Sequence, residues 1–281
     1  MRFEIARTSL RVAAFLTLVT VCLQSPAMGA KAWPTRVAAV YKITFGGLDV
    51  GNFHFESSVN EQSYTLSGSA DLKALLGIFN WQGVTRSSGS VAGEQPKPAA
   101  YTFDFTSNSK SGSVKISFND SGVSNVTSVP PNAPSRGSVP VRENHLKDVL
   151  DPLSAVMALT RARSSSPCGR KISIFDGKQR FDLLFSFRRR ERILETRPSG
   201  QPGIGYVCRV RYIPIAGHRN NDETRQMAGN TGIEVALRPV PSANLLIPYK
   251  ITIPTIAGAA VLTSQRVDIT TAGMRQIALV R

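Results

Sequence analysis

Histidine and cysteine are scarce, with three of each in 281 residues. His54, His145 and His218 stand far apart, and none falls in a His-Glu-x-x-His pattern or another metal-ligand spacing, so no metal site is expected. No Gly-x-Ser-x-Gly elbow occurs, which removes the commonest serine-hydrolase signature. No phosphate-binding loop occurs either. Gly200, Gly203 and Gly205 precede a strand-like run and not a helix, so they lack the helix terminus that would hold a phosphate. No cofactor is expected. Acidic residues are few, 19 against 34 basic ones, for a formal net charge of +15. After the first thirty residues no run is apolar and long enough to span a membrane as a helix.

Those first thirty residues have their own logic. Arg2, Arg7 and Arg11 form a basic start, Val12 to Leu23 a short apolar run, and Ala27-Met28-Gly29-Ala30 a set of small residues suited to cleavage. This is the pattern of a secretory signal peptide over residues 1–30. The apolar run is shorter than the roughly 20 residues that a spanning helix needs. Cys22 follows Val21, where a lipoprotein site wants a small residue, so lipidation is not expected. Residues 31–281 then form a single β-rich domain, placed in the periplasm. A basic exported protein meets anionic lipid or acidic glycan more readily than nucleic acid, and no nucleic-acid partner is expected. Plain solubility is the other use of such charge.

Export places Cys168 and Cys208 in an oxidising compartment, where pairing is the default. A disulfide is expected between them. Without neighbouring histidines, two cysteines make a poor metal site.

The remaining pattern is mostly strand. Tyr64, Leu66, Gly68 and Ala70 alternate with Thr65, Ser67 and Ser69, as do Phe53 and Phe55 with Asn52, His54 and Glu56. Such alternation gives strands one buried and one wet face. Gly68 suggests a bulge. Asp176-Gly177 joins two apolar runs and suits a two-residue turn with both central residues at positive φ. About a dozen strands are expected, without strand–helix–strand alternation. One principal helix stands out. Asp151 fits its N-cap, Pro152 its first position, and Arg161 and Arg163 its last turn. Leu153, Val156, Met157 and Thr160 share one stripe that would face the sheet.

Leu75, Leu76, Ile78, Phe79 and Trp81 interrupt the strands with a cluster too apolar for an ordinary loop. As a flap they would contact a ligand; as core residues they would only complete the packing. An acid–base enzyme reading would draw on carboxylates such as Asp151, Asp176 or Asp182. Asp176 is more simply a turn residue.

Three stretches carry a resemblance. They are Asp151-Pro152-Leu153-Ser154-Ala155, then Cys168-Gly169 with Phe175-Asp176-Gly177 and Arg180-Phe181-Asp182-Leu183, and then Cys208-Arg209-Val210-Arg211-Tyr212. Together they resemble the exported Gram-negative envelope family catalogued as domain of unknown function three-one-zero-eight. That family assigns no catalytic residues. The chain is similar in outline to periplasmic β-spiral proteins, and more loosely to the lipoprotein-carrier half-barrel. The resemblance implies a curved antiparallel sheet with the principal helix in its concavity. The expected function is a non-enzymatic envelope protein that binds a lipid, an acyl chain or an envelope glycan, with peripheral membrane contact. An envelope polysaccharide or peptidoglycan enzyme, and a structural partner of an outer-membrane assembly, are the alternatives.

Overall fold

Alternation in the sequence becomes one antiparallel sheet. The computed structural model describes residues 32–74, 79–132, 136–161 and 167–281. The expected signal peptide, and Leu75, Leu76, Ile78 and Arg163, lie outside the described residues. A first meander runs through β1 (Arg36–Phe45), β2 (Leu48–Asn60), β3 (Ser63–Ala74), β4 (Phe79–Ala92), β5 (Gln95–Ser107), β6 (Ser111–Asn119) and β7 (Gly122–Val129). After α1 (Pro152–Thr160), a second runs through β8 (Arg170–Phe175), β9 (Arg180–Arg192), β10 (Ile204–Ala216), β11 (Glu234–Val240), β12 (Leu245–Thr255) and β13 (Gly258–Thr270). The short α2 (Asp222–Gly229) lies between β10 and β11, and β14 (Gln276–Val280) ends the chain. The spatial order is β7-β6-β5-β4-β3-β2-β1-β13-β12-β11-β10-β9-β8. The free side of β13 is shared: β12 pairs with its first half and β14 with its second.

The sheet curls around α1. The helix touches β3, β4 and β5 on one side and β8 and β12 on the other, strands that are remote in the sheet order. The two edges, β7 and β8, face each other without pairing. Residues 146–150 bridge part of the gap. The Leu150 N–H donates to the Ser173 carbonyl, and the Phe175 N–H donates to the Leu150 carbonyl, which caps part of the β8 edge. At the other edge Gly122 lies against the Leu146 carbonyl.

The helix is wrapped more fully than one stripe would allow. Leu153 and Met157 join the core under β1–β6, while Ala155 and Leu159 join a second cluster around Cys168, Cys208, Phe185 and Leu237. Burying each large apolar side chain contributes about 1.5–3 kcal/mol. Val156, expected on the packed stripe, is instead 37% exposed. The helix also stops at Thr160, because Arg161 turns into an extended bridge with Leu245. The Arg161 guanidinium stacks 4.6 Å from the Trp33 ring centroid, beside Glu94. A cation at the helix C-terminus comes from Arg170 of β8. It donates to the carbonyls of Ala158, Leu159 and Arg161 at 3.0–3.1 Å. Backbone amides of α1 are expected among the slowest in hydrogen exchange, since packing on both sides leaves no local opening. Exchange as fast as in exposed turns would mean the helix is peripheral.

The two-residue turn with both central residues at positive φ lies elsewhere than expected. Gly46-Gly47 is the primed hairpin turn, with φ of +57° and +89° directly between the paired Phe45 and Leu48. At Asp176-Gly177 only the glycine has positive φ, and the connection is four residues long, between the paired Phe175 and Arg180. The reason is the Asp176 carboxylate, which accepts from the N–H groups of Lys178 and Gln179 and so builds the loop around itself.

Candidate functional site

Alternation and register determine what the inner face carries. Tyr64, Ser87 and Tyr101 point towards α1, so every second residue of β3 and β4, and of β5 from Tyr101 onward, lies on the same face. Phe53, Ala70, Gly83 and Phe105 stand in line across β2 to β5. That span is about 14 Å at the usual strand spacing. Two small residues, Ala70 and Gly83, stand between two rings, and neighbouring rings lie down over the glycines. A Cβ at Gly83 would fall 2.3 Å from the Trp81 ring, and one at Gly68 would fall 3.0 Å from the Phe53 ring. Gly68 therefore marks a ring seat and not a bulge, and its pairing with Phe55 and Thr85 is regular. Trp81 meets Phe103 at 6.3 Å between centroids, and Phe103 stacks on Phe105 at 5.7 Å. These rings are half-buried.

Next to this row the space between α1 and the sheet opens into a cavity of about 100 Å³. Tyr41, Phe53, Val156, Ile251 and Leu262 are among its walls. The one phenol there is spent: Tyr41 donates to the Pro248 carbonyl at 2.9 Å, and burial pushes its pKa up, so it stays neutral. Phe53 belongs to both cavity and row, 6.2 Å from Tyr41. A half-buried apolar lip continues along the same end of the sheet. Ile251, Leu262 and Ile43 are in register there, and Leu72 and Trp81 continue the line beyond Gly51. Cavity, row and lip make one apolar trough.

A larger cleft of about 1050 Å³ lies at the seam between the sheet edges. Its walls mix Lys97 and Lys171 with Asp120 and Asp148 among serines and turn backbone. Charges of both signs, spread in this way, select no ligand chemistry.

The three carboxylates are each occupied. Asp151 is fully buried and accepts four hydrogen bonds: from the N–H groups of Leu153 and Ser154, and from the hydroxyls of Ser154 and Ser87. Burial pushes its pKa up, against the pull of those four donors. Tyr64, raised to about 12 by burial, hydrogen-bonds the Ser154 hydroxyl at 2.7 Å. Asp176 closes its turn. Asp182 is held by Ser173 and Arg180; burial pushes it up, but those partners and Lys171 hold it below the usual range. Among the described residues, no group of three or more His, Cys, Asp or Glu is placed to hold a metal ion.

The family model described as "Protein of unknown function (DUF3108)" matches residues 40–263. The chain belongs to this family. The DUF3108 match takes in α1, the disulfide and the whole aromatic row. No curated protein and no solved structure matches the chain.

Of the expected contact residues in this DUF3108 chain, Phe79 and Trp81 fall on the trough. Trp81 is part of the row, and Phe79 ends it, 45% exposed and outside the buried core. Leu75, Leu76 and Ile78 belong to the undescribed β3–β4 connection. Sequence reading missed Phe103, Phe105 and the cavity wall at Tyr41 and Val156. Tyr101, Phe103 and Phe105 alternate visibly, but their meeting with Trp81 depends on which strands pair. Cys168 and Cys208 are joined, both fully buried, with Cα atoms 5.4 Å apart. The disulfide ties the segment just before β8 to β10.

Proposed function

We propose that this DUF3108 protein is a non-enzymatic binding protein that takes an apolar chain, an acyl chain of an envelope lipid or lipoprotein, along the inner face of its sheet. The observation that carries this reading is the continuity of the cavity under α1 with the row Phe53, Trp81, Phe103 and Phe105. Each methylene moved from water into such a surface contributes about 0.8 kcal/mol, so a chain can bind with few polar contacts. The outer face argues against sheet strands that cross a membrane. On β2 it carries Asn52, His54, Glu56, Ser58 and Asn60, all exposed, where a membrane barrel needs an apolar belt. Among the described residues no helix is long and apolar enough to cross a membrane. The leader-like residues 1–30, the disulfide and the basic charge support an exported, periplasmic setting.

The test uses Val156, whose exposed side chain borders the cavity. Val156→Trp would fill it without disturbing the buried face of α1. Titration with a fluorescent fatty acid is expected to show affinity lowered about tenfold or more, with thermal unfolding unchanged. Native mass spectrometry of protein purified from its own host would show a co-purifying lipid that the variant lacks. A wild-type protein that binds no acyl chain, or a variant that binds equally well, sinks the reading.

A further inference from the structure

Beyond the trough's lip, two hairpin tips project from the same end of the sheet. One is Phe45-Gly46-Gly47-Leu48 and the other Thr255-Ile256-Ala257-Gly258. Neither contains a charged or strongly polar side chain, although hairpin tips usually do. Leu48 is 73% exposed and Ile256 86% exposed. The tips are neighbours, since the Gly46 N–H donates to the Ala259 carbonyl at 3.0 Å. Phe79 joins them, because Gly51, Leu72 and Trp81 are in register and Phe79 extends β4 towards the same end.

Lysines stand behind the tips, among them Lys42, Lys73 and Lys250, with Asp49 and Asp71 beside the first two. Lys42 and Lys250 both pair with Thr263, one from each side. Lys42 is three residues behind Phe45, about 10 Å at the rise of a strand. It also pairs with Asp49 at 2.5 Å, while Lys250 is exposed. Apolar side chains backed at that distance by cations match the depth profile of a lipid surface, with acyl tails below and anionic head groups above. A rigid protein partner would need a continuous patch. These side chains stand on two adjacent convex tips, which a fluid surface can accept without a matching hollow.

We propose that the tips carrying Leu48 and Ile256 dock this protein on an anionic lipid surface, with the trough's lip facing the acyl layer. This deepens the acyl-chain reading and rests on it for the direction of transfer, but the docking has its own test. Wild-type protein and a Leu48→Ser, Ile256→Ser double variant are sedimented with vesicles of phosphatidylethanolamine and phosphatidylglycerol. Wild type is expected to sediment, less so at high salt, and the variant to bind about tenfold more weakly or worse. Fluorescent fatty-acid binding in solution is expected to be the same for both, which also shows the variant folded. Wild type left in the supernatant, or a variant that sediments equally well, overturns the docking. If neither protein binds the fatty acid while sedimentation still depends on Leu48 and Ile256, the acyl-chain reading falls and the docking stands.

Discussion

Asp151→Ala is expected to lower folding stability by about 3–5 kcal/mol. The substitution removes the N-cap of α1 and leaves the buried hydroxyls of Ser154 and Ser87 without their acceptor. Asp151→Asn keeps a carbonyl for the two backbone N–H groups and should lose only about 1–2 kcal/mol. The pair also reports the charge. Burial raises the Asp151 pKa in the folded protein, so the native state holds this proton more tightly than the unfolded chain. Stability from that group is full below the unfolded value near 3.9 and is lost as pH rises through the folded value. The advantage of wild type over Asp151→Asn should therefore shrink as pH is raised from about 4. Asp182, Glu195 and Glu234 are shifted down and act in the opposite direction. They are present in both proteins and cancel in the difference. Urea unfolding of both across pH 4 to 7 measures it. A difference that widens with pH would mean that the four donors outweigh burial.

Breaking the disulfide should have an effect of similar size. The bridge closes a loop of 40 residues, which in the chain-entropy model is worth about 4 kcal/mol. Cys168→Ser with Cys208→Ser also puts hydroxyls into a fully buried apolar cluster. Cys168→Ala with Cys208→Ala avoids that and isolates the cross-link. Unfolding with and without reductant is expected to give a midpoint shift that the alanine variant no longer shows. Thiol labelling of the native protein without reductant should leave both positions unmodified. Two freely reactive thiols would remove the bridge from the account.

Strands with regular alternation were readable from sequence, and β1 to β6 stand within a few residues of where their patterns put them. The exceptions have local causes. In β7, Val123 and Val126 both face the core although they are three positions apart, because Ser124 is the extra residue of a bulge opposite Ser117 and Phe118. The bulge hides the period of two. Helix α2 has a readable start, with Asn221 accepting from Thr224 N–H and Asp222 and Glu223 in the first turn. It lacks an apolar stripe, so its residues read as a polar loop. Arg188 and Arg189 both reach Glu234, because another bulge breaks alternation within the arginine run. At the trough, Trp81 stood out by itself. Phe103 and Phe105 did not, because alternation shows that they share a face and only strand pairing shows that Trp81 lies beside them.

The place where β1 meets β13 has a consequence for the order of events as the chain is made. Each meander closes through neighbouring hairpins, so most pairing within it can form early. The two are joined by one ladder, and the Thr35 hydroxyl at its end donates to Thr270, 235 positions later. Until β13 has been synthesised, β1 offers an unpaired edge. Contacts this distant in sequence form slowly, and open edges pair with whatever strand is near. Chains cut short before Gly258 should therefore assemble their first meander and then aggregate through β1, while the complete chain closes that edge with its own late strand.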